Sequence, residues 1–262
     1  MNLKGKMKHS INSNNKSKEK NSVLAIFAHP DDETFRCGGT FALLAKRGVP
    51  IHILTFTRGQ AGLRGNPPVC SERDLSVVRT KELLCACQSL GVETPNILDY
   101  EDGKLTNVTR EEGVAQIILY IQKYHPQIVL TWPPDGLSGH PDHVAVNQWT
   151  FEAFHQAKKE GFEELKSLYY LAMPDSLAHD LEMKQLHTIA DSEVTMTINV
   201  QSVWNEKMAA ISCHKTQTGE SPILQASTEK QTRFFRYEHF FQAYSSQSED
   251  VLLNLSLDLK EA

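Results

Sequence analysis

Two short segments of the sequence hold side chains that could hydrolyse a bond with the help of a metal ion. Residues 29–33 read HPDDE and residues 140–143 read HPDH. Imidazole nitrogen and carboxylate oxygen are ligands of zinc, and a catalytic zinc site uses three protein ligands and leaves one position for water. The two segments offer more such groups than three, so some of them are available for proton transfer.

The spacing within the segments suggests which groups bind the metal. His29 and Asp32 are three residues apart, near one turn of a helix, so both side chains can face one point. His143 from the second segment completes a His-Asp-His set. Asp31 is then not needed as a ligand, and it is the candidate general base that takes a proton from water.

The other two polar groups of the second segment are expected to serve the substrate. His140 would polarise a carbonyl or protonate a leaving group, and Asp142 would hold that imidazole in the required tautomer. A structural interpretation stays open, in which the acids at 31–33 complement the positive end of a helix dipole and each His-Pro is a turn. The presence of two such segments, each after a buried strand, favours the metal site.

Strands and helices alternate along residues 23–159 in a way that predicts an α/β fold. Residues 23–28 and 127–132 are continuous apolar runs, typical of strands buried on both faces of a parallel sheet. Further strands are predicted at 51–57 and 96–100, with helices at 34–47, 72–90, 111–124 and 144–159. This alternation predicts a Rossmann-like, mostly parallel sheet with helices on both faces. In the strand order 3-2-1-4, strands 1 and 4 are neighbours, so the two segments meet where such sheets bind ligands.

The last third of the chain is predicted to be an irregular C-terminal extension of the same domain, residues 23–262. Strands are expected at 168–173 and 194–200, and a helix at 203–212. Residues 229–244 are predicted as a helix, because aromatic residues recur there at helical spacing; a sugar-stacking role for one of them is the alternative. Residues 1–22, rich in Lys, Asn and Ser, are predicted as a disordered polar tail.

Composition and charge indicate which partners and which cellular location to expect. A net charge of −5 over 262 residues gives no electrostatic case for nucleic acid or an anionic membrane. The sequence has neither an apolar run that would span a bilayer nor a secretory signal, so a cytoplasmic location is expected. Five cysteines without a CxxC pair fit reduced thiols; Cys85 and Cys87 are expected to pack in the core, with metal ligation as the alternative.

The chain resembles the LmbE/PIG-L family of metal-dependent N-deacetylases. The hallmark of that family is AHPDDE after the first strand and a later HPDH or HxxH, which stand here at residues 28–33 and 140–143. Shorter similarities cover TRG at 57–59 with Gly62, RTKE at 79–82, LDYEDG at 98–103, and the stretch from Lys207 to HKTQ at 214–217. The resemblance extends over roughly residues 23–243.

The resemblance implies a role for each residue of the two segments: zinc ligands His29, Asp32 and His143, general base Asp31, electrophile His140 and its orienting partner Asp142. It also implies that Arg79 lies on the substrate side of the pocket; an ion pair with Glu82 on one helix face is the alternative. Arg58 and His214 are further candidate substrate contacts, and a surface or capping histidine is the alternative for His214. Ser138 stands where some relatives carry a tyrosine that touches the oxyanion, so that contact is unassigned.

The expected reaction is the removal of an acetyl group from the amino nitrogen of a small molecule that contains N-acetylglucosamine. Candidate substrates are an N-acetylglucosaminyl malate or inositol conjugate, a chitobiose-like disaccharide and an acylated natural product. Zinc is the expected metal and iron(II) the alternative, and whether the chain forms a homo-oligomer is left open.

Two other functions compete with this interpretation. A metal phosphoesterase commonly uses two metals ~4 Å apart and needs more ligands than the two segments supply. A catalytically silent sugar-binding protein on the same fold has no use for an unligated Asp31. A nucleotide-binding module is disfavoured, because no glycine-rich phosphate loop follows the first strand.

Overall fold

A computed structural model of the chain describes residues 22–246 and 250–258. The predicted polar tail therefore lies outside the described residues, apart from Ser22. No helix within the described ranges combines the length and the apolar character that crossing a bilayer requires.

Seven strands form one sheet in the order β3-β2-β1-β4-β5-β7-β6. Their bounds are β1 Val23–Phe27, β2 Ile51–Thr57, β3 Asn96–Tyr100, β4 Ile128–Thr131, β5 Ser167–Ala172, β6 Met196–Asn199 and β7 Tyr237–Ser245. The first five strands are parallel, and β7 pairs antiparallel with both β5 and β6. The expected α/β fold is confirmed, including the 3-2-1-4 order that makes β1 and β4 neighbours.

Eleven helices are present in the described ranges: α1 Asp32–Phe35, α2 Gly38–Lys46, α3 Leu75–Leu90, α4 Arg110–Tyr124, α5 Pro141–Lys159, α6 Asp175–Asp180, α7 Trp204–Cys213, α8 Lys215–Thr218, α9 Pro222–Gln225, α10 Thr228–Phe235 and α11 Val251–Asp258. Helices lie on both faces of the sheet, because alternate residues of the buried strand β1 enter two separate cores. One core includes side chains of α2, α3 and α7, and the other includes side chains of α4 and α5.

The helix predicted at 34–47 is interrupted between α1 and α2. The second part begins at the pair Gly38 and Gly39, and glycine has low helix propensity. The buried carboxylate of Glu238, on β7, accepts hydrogen bonds from the backbone N–H groups of Gly39 and Thr40, at 2.9 and 2.7 Å. A distant acid thus satisfies the first N–H groups of α2, which lack partners inside the helix.

The helix predicted at 229–244 is wrong in its second half. Helix α10 ends at Phe235, and β7 follows from Tyr237 with Glu238 and Phe240 buried on alternate positions. Because β5 and β6 supply ladder hydrogen bonds on both sides of β7, pairing across the sheet outweighs the helical spacing of the aromatic residues. The C-terminal third is therefore less irregular than expected, since β6 and β7 complete the sheet.

The cysteines also depart from expectation. Cys85 on α3 and Cys213 at the end of α7 form a disulfide, with their Cα atoms 5.8 Å apart, so the prediction of reduced thiols is wrong for this pair. The packing of α3 against α7 brings the two residues together although 128 positions separate them. Cys87 is a buried free thiol, as predicted.

Candidate active site

The topology brings the HPDDE and HPDH segments together at the carboxyl ends of β1 and β4. These strands pair in parallel, Val23 with Ile128, so both chains leave the sheet at the same edge. The first segment follows β1 directly, and His140 is the N-cap residue of α5. As a result, His143 Nε2 lies 3.2 Å from His29 Nδ1.

The three residues expected to ligate the metal form one buried cluster. His143 Nε2 is 3.5 Å from Asp32 Oδ1, and His29 Nδ1 is 3.8 Å from Asp32 Oδ2. Oδ2 also accepts the backbone N–H groups of Ala28 and His29, at 3.1 and 2.9 Å, which fixes the carboxylate. Oδ1 is the oxygen that faces His143.

Hydrogen bonds on the far side of each ring set the tautomers of the two histidines. His143 Nδ1 lies 3.1 Å from the carbonyl oxygen of Gly136, so Nδ1 carries the proton and donates it. His29 Nε2 lies 3.0 Å from Asp102 Oδ1 and 3.2 Å from Asp142 Oδ2, so it also carries a proton. The two remaining ring nitrogens, His29 Nδ1 and His143 Nε2, therefore face each other.

This donor set fits a zinc ion. Two imidazole nitrogens and a carboxylate oxygen, all buried, converge on one point, where a shared proton or a metal cation keeps them from repelling one another. Two nitrogens on one tetrahedral zinc are about 3.3 Å apart, given metal–nitrogen distances of 2.0–2.1 Å. The observed 3.2 Å between the two histidine nitrogens matches that value.

Two further groupings of potential ligand atoms overlap the cluster. His140 joins His29 and His143 in a set whose ligand atoms lie within 4.8 Å of one another, and Asp102 and Asp142 form such a set with His29. In the second set the contacts of 3.0 and 3.2 Å are hydrogen-bond distances to the protonated Nε2. The carboxylates therefore act as partners of a ligand, an arrangement that orients metal-binding histidines.

A buried turn supports His143 from the β4–α5 loop. Gly136 has a φ of 69°, and a Cβ atom at this position would lie 2.9 Å from the Cβ of His143. Glycine thus permits the close approach by which the Gly136 carbonyl reaches the ring. The indole of Trp132 stacks on the other side of His143, with ring centroids 3.9 Å apart.

The prediction that the Asp142 carboxylate holds the His140 ring is wrong. The Asp142 carboxylate accepts the backbone N–H groups of Gly103 and Leu105, at 2.7 and 3.0 Å, and its remaining contact is with His29. From the first turn of α5 this side chain turns towards the loop after β3, away from the N-cap residue. His140 is oriented instead by the backbone N–H of Asp142, which donates to His140 Nδ1 at 3.2 Å and leaves the ring proton on Nε2.

Asp102 is a site residue that the spacing of the two segments did not reveal. Its Oδ2 accepts the backbone N–H of Ala61 at 2.8 Å, and its Oδ1 contacts His29. Burial opposes the charge of this carboxyl, but the hydrogen bond and the charge of His29 lower the pKa of Asp102 to about 2. The available signal was the Asp-Gly pair of the LDYEDG stretch, which follows a parallel strand at the same edge.

The contact that lowers the pKa of Asp102 raises the pKa of His29. Burial disfavours its charged form, yet the hydrogen bonds to Asp102 and Asp142 raise the pKa of His29 to about 10. Burial and the nearby His29 lower the pKa of His143 to about 3. His29 is thus the imidazole that binds the additional proton, on Nδ1 between the two rings, in the place that a metal cation would take.

Asp31 lies beside the cluster in an unusual backbone conformation, with φ at 111°. Arg79 Nη2 lies 3.1 Å from Asp31 Oδ1 and also donates to the Pro30 carbonyl, while Arg79 Nη1 donates to Gly59 at 2.9 Å. Burial raises the pKa of Asp31 to about 6 although Arg79 acts in the opposite direction. The hydrogen-bond partner of the Asp31 carboxylate is Arg79, which leaves the three expected ligands His29, Asp32 and His143 unchanged.

The alternative pairing of Arg79 with Glu82 is wrong. Glu82 instead accepts the backbone N–H of Thr216 at 2.9 Å and the Thr216 hydroxyl at 2.6 Å. Both side chains lie on α3 and are buried, but they contact different parts of the structure. Arg79 contacts Pro30 and Asp31 of the first segment, and its position on the substrate side of the pocket stays a prediction.

The other two candidate substrate contacts, Arg58 and His214, differ in their exposure. Arg58 is partly exposed, and its guanidinium lies 2.8 Å from Asp99 Oδ1 and 3.3 Å from Thr80 Oγ1. His214 is fully buried at the junction of α7 and α8, with Nε2 2.6 Å from Glu33 Oε1. Full burial rules out a surface position for His214. It is the residue between α7 and α8, but its side chain makes no capping hydrogen bond, and a substrate contact stays a prediction.

The fold and this cluster define a Rossmann-like α/β protein with a candidate His-Asp-His metal centre at the point where the strand order reverses. The chain belongs to the PIG-L family, whose model, described as GlcNAc-PI de-N-acetylase, matches residues 24–154. A relative from Rhodococcus erythropolis PR4 is 30% identical over 241 residues, covering 76% of this chain and 82% of the relative. Its name is 1D-myo-inositol 2-acetamido-2-deoxy-alpha-D-glucopyranoside deacetylase.

Solved structures share the fold at lower identity. N,N'-diacetylchitobiose deacetylase from Pyrococcus horikoshii is 20% identical with a TM-score of 0.64, covering 84% of this chain and 83% of the other. The 4-carboxy-2-hydroxymuconate hydratase GalB of Pseudomonas putida KT2440 is 18% identical with the same TM-score of 0.64, covering 88% and 100%. A deacetylase and a hydratase thus share this architecture, so the fold alone does not select the reaction.

Proposed function

We propose that this chain is a zinc-dependent N-deacetylase that hydrolyses the acetamide of a small molecule containing N-acetylglucosamine. The observation that carries the proposal is the buried pair of facing ring nitrogens, His29 Nδ1 and His143 Nε2, 3.2 Å apart and beside the Asp32 carboxylate. Membership of the PIG-L family and the deacetylase name of the Rhodococcus relative support the same reaction.

In this proposal each residue of the two segments has one task. His29, Asp32 and His143 would hold the zinc ion, which when bound would act as a Lewis acid towards water and the amide carbonyl. Asp31 accepts a proton from the attacking water, because its carboxylate is held at the cluster by Arg79. It can then return that proton to the departing amine, so that a free amino sugar and acetate leave.

His140 would stabilise the negative charge that develops on the carbonyl oxygen. Its ring centroid lies 4.8 Å from that of His29 and 4.8 Å from that of His143, so it borders the cluster. Because Nδ1 accepts the backbone N–H of Asp142, Nε2 is the protonated nitrogen and can donate. A positioned donor to a developing oxyanion is commonly among the largest catalytic contributions.

The substrate class follows from the relatives. The Rhodococcus relative is named for an inositol conjugate of N-acetylglucosamine and the Pyrococcus structure for a disaccharide, so the shared part is the acetylated sugar. We propose the same sugar for this chain. Loop 58–72 and the C-terminal third would contact the aglycone and select it. We place the reaction in the cytoplasm, although the Cys85–Cys213 disulfide is more typical of oxidising surroundings.

Acetate release from a panel of N-acetylglucosaminides by zinc-reconstituted protein tests the proposal. Asp31→Asn should retain zinc and lower kcat by about 10²–10⁴-fold, the usual contribution of a general base. Asp180→Asn is the matched control, since it removes the same charge from an exposed surface pair with Arg233. The proposal fails if zinc-loaded protein releases no acetate from any member of the panel, or if Asp31→Asn is as active as the control.

Metal content separates the ligands from the other residues. His29→Ala and His143→Ala should each abolish zinc binding in mass analysis, whereas His140→Ala should keep zinc and slow turnover. Equal loss of zinc in all three variants would show that the division of roles is wrong. Reconstitution with iron(II) beside zinc identifies the metal that gives the higher turnover.

A further inference from the structure

The Asp31 backbone is strained, and the structure around it accounts for that strain. A φ of 111° lies in the left-handed region that residues other than glycine rarely adopt, because it is unfavourable for a residue that carries a Cβ atom. Such a conformation persists only where surrounding contacts determine it. Removing one of those contacts would let the Asp31 carboxylate turn away from the cluster.

Glu33 holds Asp31 through the backbone N–H group of Asp31. It is fully buried, and its Oε2 accepts the backbone N–H of Asp31 at 2.9 Å. Its other oxygen, Oε1, lies 2.6 Å from His214 Nε2. Both oxygens of Glu33 are therefore engaged, one with the strained residue and one with a histidine from a distant helix junction.

His214 is placed for this one contact. Within the described residues, its side chain makes its single hydrogen bond with Glu33, and its buried Nδ1 has no hydrogen-bond partner. A buried nitrogen without a partner costs free energy, so the contact of Nε2 with Glu33 is the polar interaction that compensates for burying this imidazole. In turn, His214 Nε2 is the partner of Glu33 Oε1, the carboxylate oxygen that does not accept the Asp31 N–H.

Helix α3 anchors the junction that carries His214. Glu82 accepts two hydrogen bonds from Thr216, two residues after His214, and the disulfide of Cys85 fixes Cys213, directly before it. The same helix presents Arg79 to the Asp31 carboxylate from the other side. Helix α3 thus acts on Asp31 in two ways: Arg79 contacts its carboxylate directly, and Glu82 positions the junction from which His214 reaches Glu33.

We propose that Glu33 and His214 form a positioning pair. The pair holds Asp31 in its positive-φ conformation, so that the Asp31 carboxylate faces the cluster of expected metal ligands. The pair touches neither substrate nor metal and acts through Asp31 alone. This inference rests on the proposed function, in which Asp31 is the general base. It assigns to the buried His214 a task other than the substrate contact that the sequence suggested.

The kinetic test uses His214→Ala with His214→Gln as the conservative variant, which keeps a side-chain N–H donor. In zinc-loaded protein, His214→Ala should lower kcat by about 10–100-fold with KM and zinc content unchanged, because a shift of about 1 Å at a reacting group costs up to ~10²-fold. His214→Gln should restore most of that loss. In an Asp31→Asn background, His214→Ala should cost less than about twofold more, since the group through which it acts is already gone.

Hydrogen exchange reads the same claim without any activity. The amide of Asp31 should exchange at least about tenfold faster in His214→Ala and in Glu33→Gln than in the parent protein. Lys207→Met is the matched control, because it breaks another fully buried ion pair, between Lys207 on α7 and Glu238 on β7. Its own destabilisation should leave the Asp31 amide slow relative to the rest of the chain.

Three results would overturn the positioning pair: unchanged Asp31 exchange in His214→Ala, an equal loss of kcat in the Asp31→Asn background, or loss of zinc together with kcat. An absence of acetate release by the parent protein would refute the proposed function instead, and the exchange measurement would still decide whether the pair holds Asp31.

Discussion

Asp102→Asn should weaken zinc binding although Asp102 is not among the proposed ligands. The Asp102 carboxylate lies 3.0 Å from His29 Nε2, and both side chains are buried. An asparagine of the same shape can keep the hydrogen bond from Ala61 or face His29 with its oxygen, but it carries no charge in either orientation. The protonated face of His29 then loses a charged acceptor.

The structure sets the size of the effect. A hydrogen bond to a charged group is worth about 1.5–3 kcal/mol, and loss of an outer partner of a zinc-bound histidine commonly costs about 10–100-fold in affinity. Asp142 remains 3.2 Å from the same nitrogen after the change, so the loss should lie at the lower end, near tenfold or about 1.4 kcal/mol. Changing both acids to asparagine should cost about 100-fold or more.

Zinc affinity measured by competition with a chromophoric chelator at pH 7 tests the estimate, with Asp180→Asn as the control for charge. The ranking expected is parent and control together, Asp102→Asn about tenfold weaker, and the double variant weakest. If Asp102→Asn bound zinc as tightly as the control, the orientation of His29 by its two carboxylates would be refuted as a determinant of affinity.

Two further predictions concern stability. Cys85→Ser removes a disulfide that spans 128 positions, so the free energy of unfolding in urea should fall by about 2–4 kcal/mol. Dithiothreitol should reproduce this loss in the parent protein and cause none in the variant; equal sensitivity of both would contradict it. Burial and, secondarily, the nearby Arg36 lower the pKa of His239 to about 3, below its unfolded value of 6.5. The unfolded chain therefore binds the proton first, and stability should fall as the pH drops from about 6.5 towards 3, by at most about 1.4 kcal/mol per pH unit. His239→Gln should flatten urea-derived stability between pH 6.5 and 4, and an unchanged slope would count against this assignment.

Much of the first half of the fold could be predicted because its signals are local. The buried runs of β1 and β4 read as parallel strands from their continuous apolar character, and the parallel order then placed the two segments at one edge. The proximity of His29, Asp32 and His143 follows from that order. The prediction of this cluster required only that β1 and β4 be neighbours in the sheet, and not their residue-by-residue register.

The features that sequence reasoning missed depend on contacts between distant segments. Asp142 turns towards the loop after β3 because the N–H groups of Gly103 and Leu105 are there, and nothing in HPDH reports that loop. The aromatic residues of β7 fit a helical period as well as an alternating one, and only the neighbouring strands decide between them. The Cys85–Cys213 disulfide likewise depends on how α3 packs on α7.

The insertion of β7 between β5 and β6 has a consequence for biosynthesis. Residues 173–236 must leave the ribosome after β5 before its final neighbour exists, which at about 5–20 residues per second takes on the order of several seconds. During that interval the outer edge of β5 is an open template for mispairing, and α2 lacks the Glu238 carboxylate that caps its start. Chaperone dependence and losses to aggregation should therefore concentrate in chains arrested before β7.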